Sequence, residues 1–148
     1  MVRGFSLMEM VVVLAVITIA AAVAAPGATR TIDSARARAE VGTVAAFLRS
    51  TRTHAVSRGQ ALEVRVDSQT HTLLMRRPDR DGEDTVQATR AVSPLLRIAA
   101  DPPPPHVTFF PHGMSTGARF TVATPGPRTY VITVDPLSGR VTTGRSGS

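Results

Sequence analysis

The chain has 148 residues, room for one small domain and an appendage, and carries a formal charge of +6. It contains no cysteine, which excludes disulfides, Cys-based zinc sites and thiol catalysis. All 17 basic side chains are Arg, so neither a Schiff-base lysine nor a phosphate-binding Walker lysine is available. With no Trp, one Tyr and five Phe, it also lacks the aromatic platform that stacks single-stranded nucleic acid.

Residues 10–25 read MVVVLAVITIAAAVAA, uncharged, with Thr18 the one polar side chain. Extended back to Phe5, the run takes in Ser6 and a single charge, Glu9. At about twenty residues and roughly 1.5 Å per residue, such a helix crosses the apolar core of a bilayer. Pro26 and Gly27 then interrupt it. A secretory signal peptide fits less well, because the charged leader is only Met1 to Gly4 and Glu9 sits inside the apolar stretch. A carboxylate there is costly and therefore points to function. A buried core helix fits worse again, since the run is apolar on every face.

From Thr29 to about Ser57 the chain turns Ala- and Arg-rich. Ala37, Val41, Val44, Leu48 and Ala55 recur at the three-and-four spacing of one helix face, with Arg36, Arg38, Glu40, Arg49 and Arg52 largely on the other. Gly59 is a natural stop. That apolar stripe needs a sheet to lie on.

Beyond Gln60 the period becomes alternating. Leu62, Val64 and Val66 alternate with Glu63, Arg65 and Asp67, and Ser68-Gln69 turns the chain into a second strand over 70–75. Residues 76–93 are polar and read as a long loop, and Pro102–Pro105 as an extended connector. Strands are predicted over 106–110, 118–123 and 129–135. Pro136-Leu-Ser-Gly139 has turn chemistry, so 140–143 pairs back as a hairpin, and 144–148 is a loose tail. The C-terminal half is therefore a small antiparallel assembly.

Arg3-Gly4-Phe5-Ser6-Leu7-Met8-Glu9, followed at once by the apolar run, resembles the type IV pilin and type II secretion pseudopilin superfamily. Leader length, Gly4, Phe5 and Glu9 agree with that family in register, and Pro26 falls where its helices commonly bend. The resemblance implies that prepilin peptidase cuts between Gly4 and Phe5 and methylates the new amino group. The carboxylate of Glu9 would then pair with the N-terminal ammonium of a neighbouring subunit and set their register.

A second resemblance covers the C-terminal third. Val107-Thr-Phe-Phe-Pro-His-Gly-Met-Ser-Thr-Gly117, Tyr130-Val-Ile-Thr-Val-Asp135 and Ser138-Gly-Arg-Val141 look like the GspH/FimT family of minor pseudopilins and minor pilins. His112 departs from the Asp or Asn usual there. Gly113 and Gly117 read first as conformational necessities between strands, ahead of a partner-binding role.

The fold expected is α+β and pilin-like: a long N-terminal helix, transmembrane and then amphipathic, packed on a small antiparallel β-sandwich. Its segments are a leader (1–4), a span (5–28), an amphipathic helix (29–58) and a globular domain (59–148). The resemblance implies a structural, non-enzymatic minor pseudopilin, single-pass in the inner membrane with its globular domain in the periplasm. It would act at or near the pseudopilus tip, with other minor and major pseudopilins, prepilin peptidase, and the secretion channel or cargo as partners.

No cofactor or metal is expected. The acidic run Asp79-Arg-Asp-Gly-Glu-Asp84 lacks EF-hand spacing and reads as a solvated turn ahead of a calcium site. His54, His71, His106 and His112 lack ligand spacing with one another. Two other readings stay open. In a FimT-like minor pilin binding DNA during uptake, Arg140 and Arg145 would carry the contact, with Arg119 and Arg128 as candidate neighbours. The other reading is a bitopic membrane protein unrelated to pili.

Overall fold

A computed structural model describes residues 6–78, 85–124 and 128–146, and from 23 to 34 the backbone alone. Gly4 and Phe5, the acidic run 79–84, and the termini beyond these bounds lie outside the described residues. The elements are one helix, α1 (Leu7–Arg58), and eight strands: β1 (Leu62–Asp67), β2 (Thr72–Arg77), β3 (Thr85–Ala91), β4 (Arg97–Asp101), β5 (His106–Phe109), β6 (Ala118–Ala123), β7 (Thr129–Val134) and β8 (Val141–Arg145).

Helix α1 runs without a break through Pro26 and Gly27, which corrects the interruption expected there. A proline removes one backbone hydrogen bond and can bend a helix without ending it. The end comes at Gly59, whose φ of +63° places it in the left-handed region. There Gln60 N–H donates to Ala55 O (3.1 Å) and Gly59 N–H to Val56 O (3.4 Å), the double closure of a glycine-capped helix.

The chain divides into two compact units, residues 1–36 and 37–148. In the first, the side chains from Leu7 to Ile19 include a succession of exposed apolar groups, among them Leu7, Met8, Val11, Leu14, Ile17 and Ile19. Among the described residues, no helix is long and apolar enough to cross a membrane. Of the stretch predicted to span, side chains are described only from Ser6 to Ala22.

The second unit holds two antiparallel four-stranded sheets, ordered β3-β2-β1-β5 and β4-β6-β7-β8. The helix stripe Val41, Val44, Ala45, Leu48 and Ala55 joins the inward rows of both sheets in a single core. Leu62, Val64 and Val66 come from β1, Val107 and Phe109 from β5, Phe120 and Val122 from β6, and Ile132 and Val134 from β7. The alternation read from the sequence is thus the alternation of burial. Thr51 lies buried on the same stripe at no polar cost, because its hydroxyl donates to Phe47 O four residues back (3.0 Å).

The predicted loop over 76–93 is corrected in part, since it contains β3, paired to β2 with a register shift at Met75/Arg76. Strand β4, paired to β6, went unpredicted. Pro102–Pro105 connects β4 to β5 through bends, not as an extended segment, with cis bonds at Asp101–Pro102 and Pro103–Pro104.

Two hairpin turns share one device. Asp67 Oδ1 accepts from Gln69 N–H (2.8 Å) and Thr70 N–H (3.2 Å) after β1. Asp135 Oδ1 accepts from Leu137 N–H (3.1 Å), Ser138 N–H (2.8 Å) and the Ser138 hydroxyl (2.8 Å) after β7. Hydrogen bonds from the Thr70 side chain and backbone, then from Gln69, hold the Asp67 carboxyl below its ordinary value of 3.8. The Ser138 backbone and hydroxyl do the same for Asp135.

Two predictions follow from this packing and capping. Leu48→Ala removes the largest side chain of the helix stripe from a fully enclosed position. It should lower unfolding free energy by about 2–5 kcal/mol, read by denaturant titration followed by circular dichroism. The second concerns acid. Both carboxyls have folded-state values below the unfolded one, so their contribution is complete above the ordinary Asp value and is lost as pH falls from there through the lowered folded-state values. The thermal midpoint of the parent should therefore drop below about pH 4 more steeply than that of the Asp67→Asn/Asp135→Asn double variant. Equal slopes would mean that these turns do not couple to folding.

Candidate functional site

Glu9 lies in the first turn of α1, where the unpaired N–H groups of a helix start favour a negative charge. Glu9 N–H and Met10 N–H both donate to Ser6 O (3.0 and 3.2 Å), so the helix is already closed around it. Its side chain is exposed and makes no ion pair among the described residues. An anionic group thus stands at the entry of a helix whose next turns expose Met10, Val11, Val12, Val13 and Leu14. Chemically this is an isolated charge on an otherwise largely apolar exposed surface.

A second constellation joins the C-terminal half of α1 to two turns. The segment 110–117 is closed on itself by Gly113 N–H to Phe110 O and Phe110 N–H to Met114 O, each 2.9 Å. It is fastened to the β7–β8 turn by Ser115, whose N–H donates to Pro136 O (2.9 Å) and whose hydroxyl donates to Asp135 O (3.0 Å). Ser115 is buried, and both of its polar groups are used. Arg52 then reaches across from the helix. Its Nε–H donates to Ser138 O (3.0 Å) and, more weakly, to Gly113 O (3.4 Å), one carbonyl on each turn. Arg49 donates from its guanidinium to Val141 O (3.2 Å), at the start of β8.

The glycines here are conformational necessities. Gly139 has φ +61°, and a Cβ on it would run into Gly113 O and the Arg52 side chain. Gly117 has φ +71°, with Pro136 3.2 Å from where a Cβ would sit. Sequence reading had set Arg52 on the polar side of the helix and gave Ser115 no role. The spacing of Gly113, Gly117 and Gly139 signals close backbone approach, but it does not name the side chains that bridge it.

The two C-terminal arginines are not brought together. Arg140 ends the turn before β8 and Arg145 ends β8 itself, so at roughly 3.3 Å per residue they stand more than 10 Å apart. Arg145 instead joins Arg119 along an open groove of about 450 Å³ on the outer face of the β4-β6-β7-β8 sheet, floored by Thr121, Val131, Thr133, Thr142 and Gly144. Arg128 is exposed in the segment before β7 and does not line that groove. Among the described residues, no cluster of three or more His, Asp or Glu is placed to hold a metal ion.

The double turn generates a stability prediction. Arg52→Ala leaves both carbonyls without their charged donor and should cost about 1–3 kcal/mol. Gly139→Ala should cost more than about 1 kcal/mol, since the left-handed backbone and the blocked space act together. Chemical denaturation checks both. An unchanged midpoint for Gly139→Ala would show that the turns are not held as closely as described.

Comparison with known proteins gives the arrangement its family. Residues 1–25 match the prokaryotic N-terminal methylation motif, and residues 40–139 match the family described as type II transport protein GspH. Type II secretion system protein H of Xanthomonas campestris pv. campestris is 30% identical over 146 residues, which cover 96% of this chain and 83% of that one. Among solved structures, the type IV minor pilin FimU of Pseudomonas aeruginosa superposes with a TM-score of 0.65 at 17% identity, over 78% of this chain and 96% of that one. The minor pseudopilin EpsH from the type 2 secretion system of Vibrio cholerae gives 0.60 at 16% identity, over 78% and 98%. At such identities the structural likeness is one of fold, α+β with a helix on antiparallel sheets. The sequence matches favour neither a DNA-binding minor pilin nor a bitopic protein unrelated to pili. With two thirds of its length matching that family and the methylation motif at its N-terminus, the chain belongs to the GspH family of type II transport proteins.

Proposed function

We propose that this subunit is built into the pseudopilus at or near its tip, where it helps to start assembly and meets the secretion channel or its cargo during export across the outer membrane. The observation that carries this reading is the lone carboxylate of Glu9 in the first turn of a helix whose following turns expose apolar side chains. The leader is residues 1–4. Prepilin peptidase removes it between Gly4 and Phe5 and methylates the amino group of Phe5. Residues 5–28 anchor the chain in the inner membrane as a single pass and later line the filament core. The remainder, amphipathic helix and sandwich, stands in the periplasm. The role is structural, and no catalysis is assigned.

Glu9 acts as the register device. In lipid a charged side chain costs about 2.5–3.5 kcal/mol at mid-span on insertion scales, so an uncompensated carboxylate is a liability. The ammonium of a neighbouring subunit, held at the same depth, removes that cost only when the two helices are aligned. Pairing therefore rewards a single axial offset.

The test has two readouts. Mass spectrometry of the membrane-extracted protein should find a mature N-terminus at N-methylated Phe5. A terminus near Ala25, as signal peptidase would leave, overturns the reading. Glu9→Leu should insert and be processed normally yet fail to co-purify with the other pseudopilins. Normal assembly of that variant would remove Glu9 from its role.

A further inference from the structure

We propose that the paired turns Phe110–Gly117 and Asp135–Arg140 form a docking surface for a neighbouring pseudopilin whose contact face carries carboxylates around an apolar seat. The proposal rests on the assembly reading above and deepens it by naming a surface and the chemistry of its partner.

Leu137 projects from the β7–β8 turn with 77% of its surface exposed, and Met114 from the facing segment with 40% exposed. A single exposed leucine has no special meaning. What sets this pair apart is the frame that holds it. The residues on either side of Met114, Gly113 and Ser115, and those on either side of Leu137, Pro136 and Ser138, are all fixed by the contacts of Ser115 and Arg52. Beneath Leu137, Asp135 Oδ1 accepts three hydrogen bonds. On the other side, the rings of Phe110 and His112 stack at 5.7 Å and 6°. Both apolar side chains are thus offered from backbone already ordered, so a partner need not supply the ordering free energy that mobile loops demand.

Charge identifies the partner. Arg49, Arg52 and Arg140 border the turns, and none of them makes an ion pair; among the described residues the one ion pair is Arg65 with Glu63. Arg49 and Arg52 bond neutral carbonyls, which leaves their charges uncompensated. The two turns hold a single carboxylate, Asp135, which accepts from Leu137 and Ser138 and lies within electrostatic reach of Arg140, so three guanidinium groups face one carboxylate. An apolar centre with an excess of positive charge on its border complements a surface of the opposite border. It does not suit a purely apolar occupant, which would leave that excess positive charge without a partner.

The experiment uses the full chain co-expressed with the other pseudopilins of its secretion system, extracted in detergent. Leu137→Asp and Arg140→Glu should each reduce the co-purified pseudopilin at least tenfold, with N-terminal processing and thermal midpoint as in the parent. Leu95→Asp is the control. It changes an equally exposed leucine, 67% exposed, that lies outside the two turns, and should leave association intact. Raising the salt concentration should weaken association of the parent, as screening of the arginine border requires. If Leu137→Asp disturbs folding, Leu137→Ser and Arg140→Glu carry the test. Parent-level association of these variants, or an equal loss with Leu95→Asp, overturns the assignment. Loss with Glu9→Leu but not with the turn variants leaves assembly standing and removes this surface. A parent that captures no pseudopilin overturns both.

Discussion

The second unit depends on one contact, the aliphatic stripe of α1 from Val41 to Ala55 laid on two small sheets. Neither sheet is large enough to enclose a core alone. Four strands of four to seven residues bury one face only if something covers it. The helix meets that need for both at once, since Val44, Ala45, Leu48 and Ala55 are fully enclosed. The stripe also explains why its side chains stay small. Alanine at 45 and 55 and a back-bonded threonine at 51 let the sheets approach closely, while Phe109 and Phe120 supply the bulk from the strands.

With that contact made, the polar face of the same helix becomes a positioning element. Arg49 and Arg52 are one turn apart, and both reach backbone carbonyls of the C-terminal turns. Arginine suits this because its guanidinium presents several donors in a rigid plane and never loses its charge. Arg52 meets both turns through one Nε–H held in that plane, where a lysine would offer a mobile ammonium. The charge remains after the carbonyls are bonded, so the residue that orders the turns also gives them their electrostatic character. Structure and recognition meet in one side chain.

Much of this was legible in the sequence, and the exceptions have a common cause. β1 is legible in the alternation of Leu62, Val64 and Val66 with Glu63, Arg65 and Asp67, and β1, β5, β6 and β7 each bury one row of side chains. Strands β3 and β4 escaped because both are edge strands, β3 with neither face fully buried and β4 with exposed and half-buried residues in turn. An edge strand with no enclosed row has no hydrophobic period to detect. β8 is also an edge strand and is mostly exposed, but the Pro-Leu-Ser-Gly turn before it announced the hairpin. The site divides similarly. Glu9 was conspicuous as a charge where none belongs, whereas Arg52 and Ser115 act across 61 and 20 residues of chain. No local pattern records contacts of that range.

The helix itself carries two different surfaces along one continuous element. From Leu7 to Ile19 its described side chains expose apolar groups in every direction, and after Val41 they are apolar on one side only. An all-round apolar surface finds contacts with any neighbour and so encodes little specificity, which is why a single charge within it is informative. Shifting Glu9 by one residue would rotate its carboxylate by about 100° around the axis and move it about 1.5 Å along it. The surface at the other end works in the opposite way, with few apolar groups on a fixed frame and charge around them. On the assembly proposed above, the first would set register along the filament and the second the choice of partner.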